Sequence, residues 1–149
     1  MDGLTPETAT TTTDVPVGWV DVPIDQLVKA EWNYKEDDEF TAEKLFNNIK
    51  RNGQVVNVII RELEPGKFEI CNGNHRYEPL LKLGYKTVHC YNLGKDVSLA
   101  AAQRIAIETN ETSFPNDPMK LSYTIKAIVE EFDLSDVELT LPYDSSTTT

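Results

Sequence analysis

The chain has 149 residues, 40% of them hydrophobic, which is enough for one domain with a buried core. Its net charge of −11 excludes a protein that grips a nucleic-acid backbone through a basic stripe of its own, although DNA contact through another domain or a partner stays open. No apolar run reaches the roughly 18 residues of a membrane span and no secretory leader is visible, so we expect a cytoplasmic protein without membrane contact.

Composition divides the chain into three parts. Residues 1–16 are polar and Thr-rich without periodicity, which predicts a disordered tail. Residues 17–117 carry the strand and helix patterns of one domain. Residues 118–149 predict a C-terminal helix and then an acidic, Ser/Thr-rich tail that frays from Asp133 onward.

The first elements of the domain alternate strand and helix. Residues 17–24, VGWVDVPI, alternate well enough for a strand, and a short helical turn at 25–27 follows it. The segment from 29 to 40 has loop composition. Thr41 predicts the N-cap of a helix, which Gly53 ends after a basic last turn.

The rest of the domain continues the alternation. The pattern predicts strands at 55–61, 67–71 and 87–93, and helices at 75–83, at 99–109 behind a Ser98 cap, and after Pro118. In the 75–83 helix we expect Tyr77, Leu80 and Leu81 to face inward, with Leu83 as a further candidate. This order predicts an α/β domain with one mixed sheet flanked by helices and a helical C-terminal part.

A glycine turn between a strand and a helix gives the strongest functional signal. Such a junction presents unpaired backbone N–H groups, which can bind an anion. Gly73 makes the turn, and His75 and Arg76 fall in the first helical turn, where cations are unfavourable unless an anion is bound. A guanidinium at Arg76 can fork onto phosphate oxygens.

The same turn has an interpretation without a ligand. Asn74 would cap the helix while His75 and Arg76 point into water. Arg76 would then form a surface ion pair with Glu69 or Glu78. For His75, a phosphate contact or proton relay and a simple hydrogen bond to the backbone are equally open.

Hard oxygen ligands occur in two further places. Glu108, Asn110 and Glu111 lie at the end of a predicted helix and suit Mg²⁺, which prefers one or two carboxylates plus phosphate and water. A solvated helix end is the alternative. Glu31 follows the first strand and turn, close to an acidic run at 36–39 that reads most simply as a solvated loop.

Three motifs occur in the order known from one superfamily. They are NIKRNG at 48–53, NGNHRY at 72–77 and ETNE at 108–111. With the surrounding pattern from Gly18 to Asp117, they resemble the ParB/sulfiredoxin-like superfamily. The chain is most similar to the ParB N-terminal nuclease-like domain, as a stand-alone or phage-type member.

The resemblance implies a nucleotide site within residues 17–117. The ligand would be a nucleoside triphosphate, ATP or CTP, held together with Mg²⁺. The implied phosphate-binding residues are Gly73, Asn74, His75 and Arg76. The implied metal ligands are Glu108, Asn110 and Glu111.

The chain departs from the patterns of the superfamily at specific positions. Asn74 stands where sulfiredoxin has its nucleophilic cysteine, and Cys71 is three residues early, so we exclude sulfiredoxin activity. Asn57 replaces a proline, and the 108–112 segment lacks the arginine of the ParB motif E-N-x-x-R, so CTP specificity does not carry over. The G-N-H-R sequence is also close to the G-H-H-R of free-serine kinases, which place a catalytic carboxylate near the position of Glu31.

Two classes of function follow. The first is a nucleotide-binding switch or accessory module linked to DNA partitioning, modification or phage and mobile-element biology. The alternative is an enzyme acting on the γ-phosphate, a small-molecule kinase, NTPase or nuclease-like protein, with His75 and Glu31 as candidate catalytic residues. The segment after Asp117 is too short for a ParB helix-turn-helix, so we expect either a chain cut before a DNA-binding domain or a stand-alone family member. DNA would then be contacted through another domain or partner, and a homodimer stays open.

The two cysteines, Cys71 and Cys90, lie in apolar, strand-like surroundings. Disulfide scaffolds carry more cysteines than this, and metal sites need closer spacing. The sequence therefore predicts two buried free thiols.

Overall fold

The computed structural model describes residues 15–143, so the predicted disordered tail at 1–16 lies almost wholly outside the described residues. Five strands form one mixed sheet in the order β1-β5-β3-β4-β2. The pairs β1–β5 and β3–β4 are antiparallel, and β3–β5 and β2–β4 are parallel. The strands are β1 (Gly18–Pro23), β2 (Leu27–Lys29), β3 (Val58–Glu64), β4 (Lys67–Asn72) and β5 (Thr87–Asn92).

Helices precede and follow the strands along the chain. Two 3-10 turns, Ile24–Gln26 and Asn74–Arg76, add short links. The helices of the described residues are α1 (Glu39–Asn52), α2 (Tyr77–Lys82), α3 (Leu99–Glu111), α4 (Pro118–Glu131) and α5 (Leu134–Thr140). The predicted α/β class with one mixed sheet and a helical C-terminal part is confirmed.

The core lies between the sheet and the helices α1 and α2. Alternate strand residues point into it, because successive side chains of a strand face opposite sides. Ile49 of α1 and Leu80 of α2 pack against this set. The strand residues with the least exposure are Val22, Val58, Ile60, Phe68, Ile70, Val88 and Cys90.

The ends of some helices and strands differ from those predicted from the sequence. Asp38, not Thr41, is the N-cap of α1, and its carboxylate accepts the Thr41 N–H at 3.1 Å. The strand predicted from residue 55 begins at Val58, and Val55 is exposed. The predicted turn at 25–27 leads at once into β2, which pairs in parallel with β4. This short strand lacks a sequence signature because its register is set by β4.

The prediction for the inner face of the helical segment 75–83 is wrong at one position. Leu80 is buried and Tyr77 and Leu83 pack against the core, but Leu81 is 45% exposed. Pro79, which the pattern did not single out, is buried beside Leu80.

The end of the described chain is ordered against α1, so the prediction that it frays is wrong for α5. Asn47 of α1 donates to the carbonyl of Leu139 at 3.1 Å, and Arg51 pairs with Asp136 at 3.1 Å. No helix within residues 15–143 is long and apolar enough to cross a membrane.

Candidate functional site

A cavity of about 390 Å³ opens beside the glycine turn. One wall is the segment 71–76, which joins β4 to α2. The facing wall is the loop 33–38 together with the first turns of α1, and Asn110 of α3 contributes at one side. The four predicted phosphate-binding residues, 73–76, therefore line a cavity. The opposite wall is formed by a segment that the sequence analysis predicted only as a loop.

Gly73 fixes the shape of the turn. Its φ of +107° lies in the region that side chains rarely adopt, and a Cβ there would sit 3.2 Å from Val58 Cγ2. The carbonyl of Gly73 accepts the Arg76 N–H at 3.0 Å. Because that N–H is engaged and α2 is only six residues long, attraction for an anion falls to side chains more than to the helix end.

Asn74 holds the turn in place through two side-chain hydrogen bonds. Its side chain is buried, and Oδ1 accepts the Ala30 N–H at 2.8 Å while Nδ2 donates to the Ile70 carbonyl at 3.1 Å. Asn74 therefore ties the end of β2 to β4 and does not cap the following helix with its side chain. For a ligand, only the main chain of Asn74 remains.

Arg76 faces the cavity without a counter-ion among the described residues. The two carboxylates expected to pair with it are engaged elsewhere, Glu69 with Arg61 at 2.8 Å and Glu78 with Lys29 at 3.6 Å. Burial lowers the pKa of the Arg76 guanidinium. A half-buried cation of this kind lacks both full hydration and a partner, which favours an anionic ligand.

The other two basic residues of the cavity each lie beside a carboxylate. His75 Nε2 lies 3.1 Å from Asp37 Oδ1, and Lys35 Nζ lies 3.0 Å from Glu111 Oε2. Sequence reasoning missed Lys35, since it stood in a loop without a motif.

The three predicted metal ligands engage different neighbours. Glu108 accepts from Arg104 at 3.1 Å, Glu111 is held by the loop, and Asn110 lines the cavity. Across residues 15–143, no group of three or more His, Cys, Asp or Glu side chains is arranged to hold a metal ion. The assignment of Glu108, Asn110 and Glu111 as Mg²⁺ ligands of a bound nucleotide stays a prediction.

Two further residues bear on catalysis. Glu31 is exposed and lies outside the cavity wall, apart from His75. Cys71 lines the cavity, but burial, with a smaller effect of the Glu69 charge, raises the pKa of its thiol to about 12. Both cysteines are free and buried, as predicted, and a thiol that stays protonated is a poor nucleophile.

The family model of the ParB N-terminal domain matches residues 6–110, and the chain belongs to this family. No curated protein sequence matches the chain. A similar solved structure is the C-terminally truncated chromosome-partitioning protein ParB from Caulobacter crescentus complexed with CTP-gamma-S, with a TM-score of 0.71 and 21% identity. The match covers 88% of this chain and 74% of that chain, and it shows a shared fold.

Two other solved structures are similar. The Pnob8-like ParB-N domain has a TM-score of 0.53 and 16% identity, covering 74% of this chain and 46% of that one. Sulfiredoxin from Arabidopsis thaliana has a TM-score of 0.42 and 26% identity, covering 50% of this chain and 82% of its own. The membership of the ParB/sulfiredoxin-like superfamily that the motifs predicted is confirmed.

Proposed function

We propose that this chain is a ParB-like nucleotide-binding protein whose cavity at the 73–76 turn holds the phosphates of a nucleoside triphosphate, ATP or CTP. The observation that carries the proposal is Arg76, a half-buried guanidinium that lines the cavity without a carboxylate partner among residues 15–143. A planar guanidinium matches two phosphate oxygens at once. The Caulobacter ParB structure, complexed with CTP-gamma-S, supports the class of ligand.

The cavity wall carries side chains of both charges. Lys35, His75 and Arg76 are its basic residues, and Glu36, Asp37 and Asp38 are its acidic residues. Asp37 and Glu111 already balance two of them, so a phosphate must compete with these carboxylates. The whole chain at −11 also repels an anion, which predicts modest affinity that salt and divalent cations change.

The binding of Mg²⁺ stays a prediction, because the contacts of the expected ligand residues do not by themselves support it. Among its expected ligands, Asn110 lines the cavity, whereas Glu108 and Glu111 have cationic partners. The proposed function therefore includes no step that depends on a metal held by the protein. A cation that arrives with the nucleotide would be detected as a loss of affinity in EDTA.

A biological role in DNA partitioning, modification or phage and mobile-element biology belongs to the same proposal. The net charge of −11 disfavours direct contact with a DNA backbone, so such a role requires another domain or a partner. The kinase or NTPase alternative requires a carboxylate positioned near the γ-phosphate. Glu31 lies outside the cavity wall, but Glu36, Asp37 and Asp38 line it. We propose binding because Arg76 supports it directly, and measurement of phosphate release tests the catalytic alternative.

One experiment tests both classes. The purified chain is titrated calorimetrically with ATP, CTP and GTP, each with Mg²⁺ and with EDTA, while phosphate release is measured in parallel. Saturable binding with no release supports a binding protein, and release at a steady rate supports the enzyme. Absence of binding for all three nucleotides would refute the proposed function.

A further inference from the structure

Lys35 joins the cavity to the end of α3. It lies in the loop between β2 and α1 and lines the same cavity as Arg76. Its Nζ lies 3.0 Å from Glu111 Oε2, across 76 residues of chain. Lys35 is therefore a cavity cation whose present counter-ion belongs to a different element.

Glu111 is held at this position by two adjacent residues of the loop. The Tyr34 hydroxyl donates to the same oxygen, Oε2, at 2.7 Å. The hydrogen bonds from Tyr34 and then Lys35 lower the pKa of the Glu111 carboxyl, which keeps it ionised at neutral pH. A charged carboxylate thus engages one of the three N–H donors of Lys35 and offsets the positive charge that Lys35 would offer to an anion.

We propose that Lys35 is a second phosphate-binding side chain of this cavity, and that Glu111 is its resting partner, which a phosphate displaces. This inference rests on the proposed nucleotide site. It assigns to Glu111 the role of a competitor that lowers affinity, opposite to the role of metal ligand predicted from the sequence.

The exchange is feasible because the pair is weakly held. The side chains of Lys35 and Glu111 are 48% and 52% exposed, and exposed ion pairs contribute little to stability. A single phosphate can be satisfied by the guanidinium of Arg76. The additional charge of a triphosphate needs another cation, so the Lys35–Glu111 exchange favours triphosphates over monophosphates.

The test uses Glu111→Gln, which removes the charge but leaves an amide oxygen that can still accept from Tyr34. The matched control is Asp136→Asn, because Asp136 forms an ion pair of similar exposure, 45% and 44%, with Arg51 away from the cavity. Both variants raise the net charge by one. Lys35→Met keeps the apolar stem and removes the ammonium, and it is made alone and together with Glu111→Gln.

Each variant is titrated with ATP, CTP, AMP and inorganic tripolyphosphate at low ionic strength, after a thermal melt confirms folding. We expect Glu111→Gln to bind the triphosphates about threefold more tightly or better, the size expected for release of an exposed charge pair. AMP affinity should change little, and Asp136→Asn should match the parent. Lys35→Met should weaken triphosphate binding and cancel the gain in the double variant, and high salt should reduce the gain.

The outcomes separate this inference from the function on which it rests. If the parent binds nucleotide and Glu111→Gln binds equally or less tightly, the competitor role is refuted while the nucleotide site stands. If Glu111→Gln gains affinity but Lys35→Met does not cancel the gain, Lys35 is not the phosphate ligand and the inference fails. If neither the parent nor Glu111→Gln binds any probe, the proposed function fails and this inference with it.

Discussion

The Asn74 side chain reaches the main chain of Ala30, where Oδ1 accepts the N–H at 2.8 Å across 44 residues. Its other end donates to the Ile70 carbonyl. One buried amide therefore joins β2, β4 and the glycine turn beside the cavity. Asn74 stands at the position of the sulfiredoxin cysteine. Its two hydrogen bonds give it a structural role there that requires no thiol.

The first prediction concerns this bridge. Asn74→Ala should destabilise the fold by about 1–3 kcal/mol for each buried backbone group left unsatisfied, those of Ala30 and Ile70. The measurement is urea unfolding. Asn72→Ala is the matched control, because Asn72 donates at 2.8 Å to the hydroxyl of Thr109 in an exposed setting and should cost under about 1 kcal/mol. Equal costs for the two variants would contradict the bridge.

The second prediction concerns the glycine turn. Gly73→Ala meets both an unfavourable φ and the Val58 side chain at 3.2 Å, whereas Gly66→Ala has a φ of +80° with nothing within 4 Å of the new Cβ. Gly66→Ala should therefore show strain alone, about 1 kcal/mol, and Gly73→Ala should cost more and weaken ligand binding. Thermal melts and nucleotide titrations check both. The contact with Val58 is unimportant if the two melting temperatures fall equally.

The third prediction concerns Arg76. Arg76→Ala should abolish nucleotide binding with little change in thermal stability, because no ion pair of the described residues is lost. Arg104→Ala is the control, since Arg104 is 81% exposed, pairs with Glu108 and lies outside the cavity. An affinity loss below about 1 kcal/mol in Arg76→Ala, less than a charge-assisted hydrogen bond contributes, would place the site elsewhere.

Signals within a few residues of each other predicted the parts of the fold that local chemistry controls. Gly53 ends α1 with a φ of +79°, and Ser98 caps α3 by accepting the Ala101 N–H, both as expected. The choice between Asp38 and Thr41 as a cap was not decidable in this way, because both side chains suit an N-cap.

One wall of the cavity was predicted and the other was missed, because sequence patterns report only on residues close together in the chain. The Gly73 turn is a continuous motif, so the sequence could single out the residues 73–76 that line the cavity. Lys35 and Glu111 meet only through the packing of a loop on a distant helix, and no spacing rule connects residues 76 positions apart. The ion pair of Glu111 with Lys35 likewise could not be predicted from the 108–111 segment, whose carboxylates suggested a metal site.

The last prediction concerns pH and the two thiols. Burial is the first cause that raises the pKa of Cys71 and of Cys90 to about 12, from an ordinary value of 9.0. The unfolded chain therefore loses these protons first, so the stabilisation is complete below about pH 9 and is lost as the pH rises toward 12. Urea unfolding across this range should show falling stability, and Cys71→Ser should show a smaller fall than the parent.

Other groups titrate in the same range, so the difference between the parent and Cys71→Ser isolates the thiol. The same variant should bind nucleotide like the parent, because a thiol that stays protonated near pH 7 is no nucleophile. Alkylation of the native chain by iodoacetamide at neutral pH should correspondingly be slow, and it should become fast in urea. Rapid alkylation of Cys71 in the folded protein, or a covalent intermediate trapped on it during nucleotide turnover, would overturn the assignment of Cys71 as an inert part of the cavity wall.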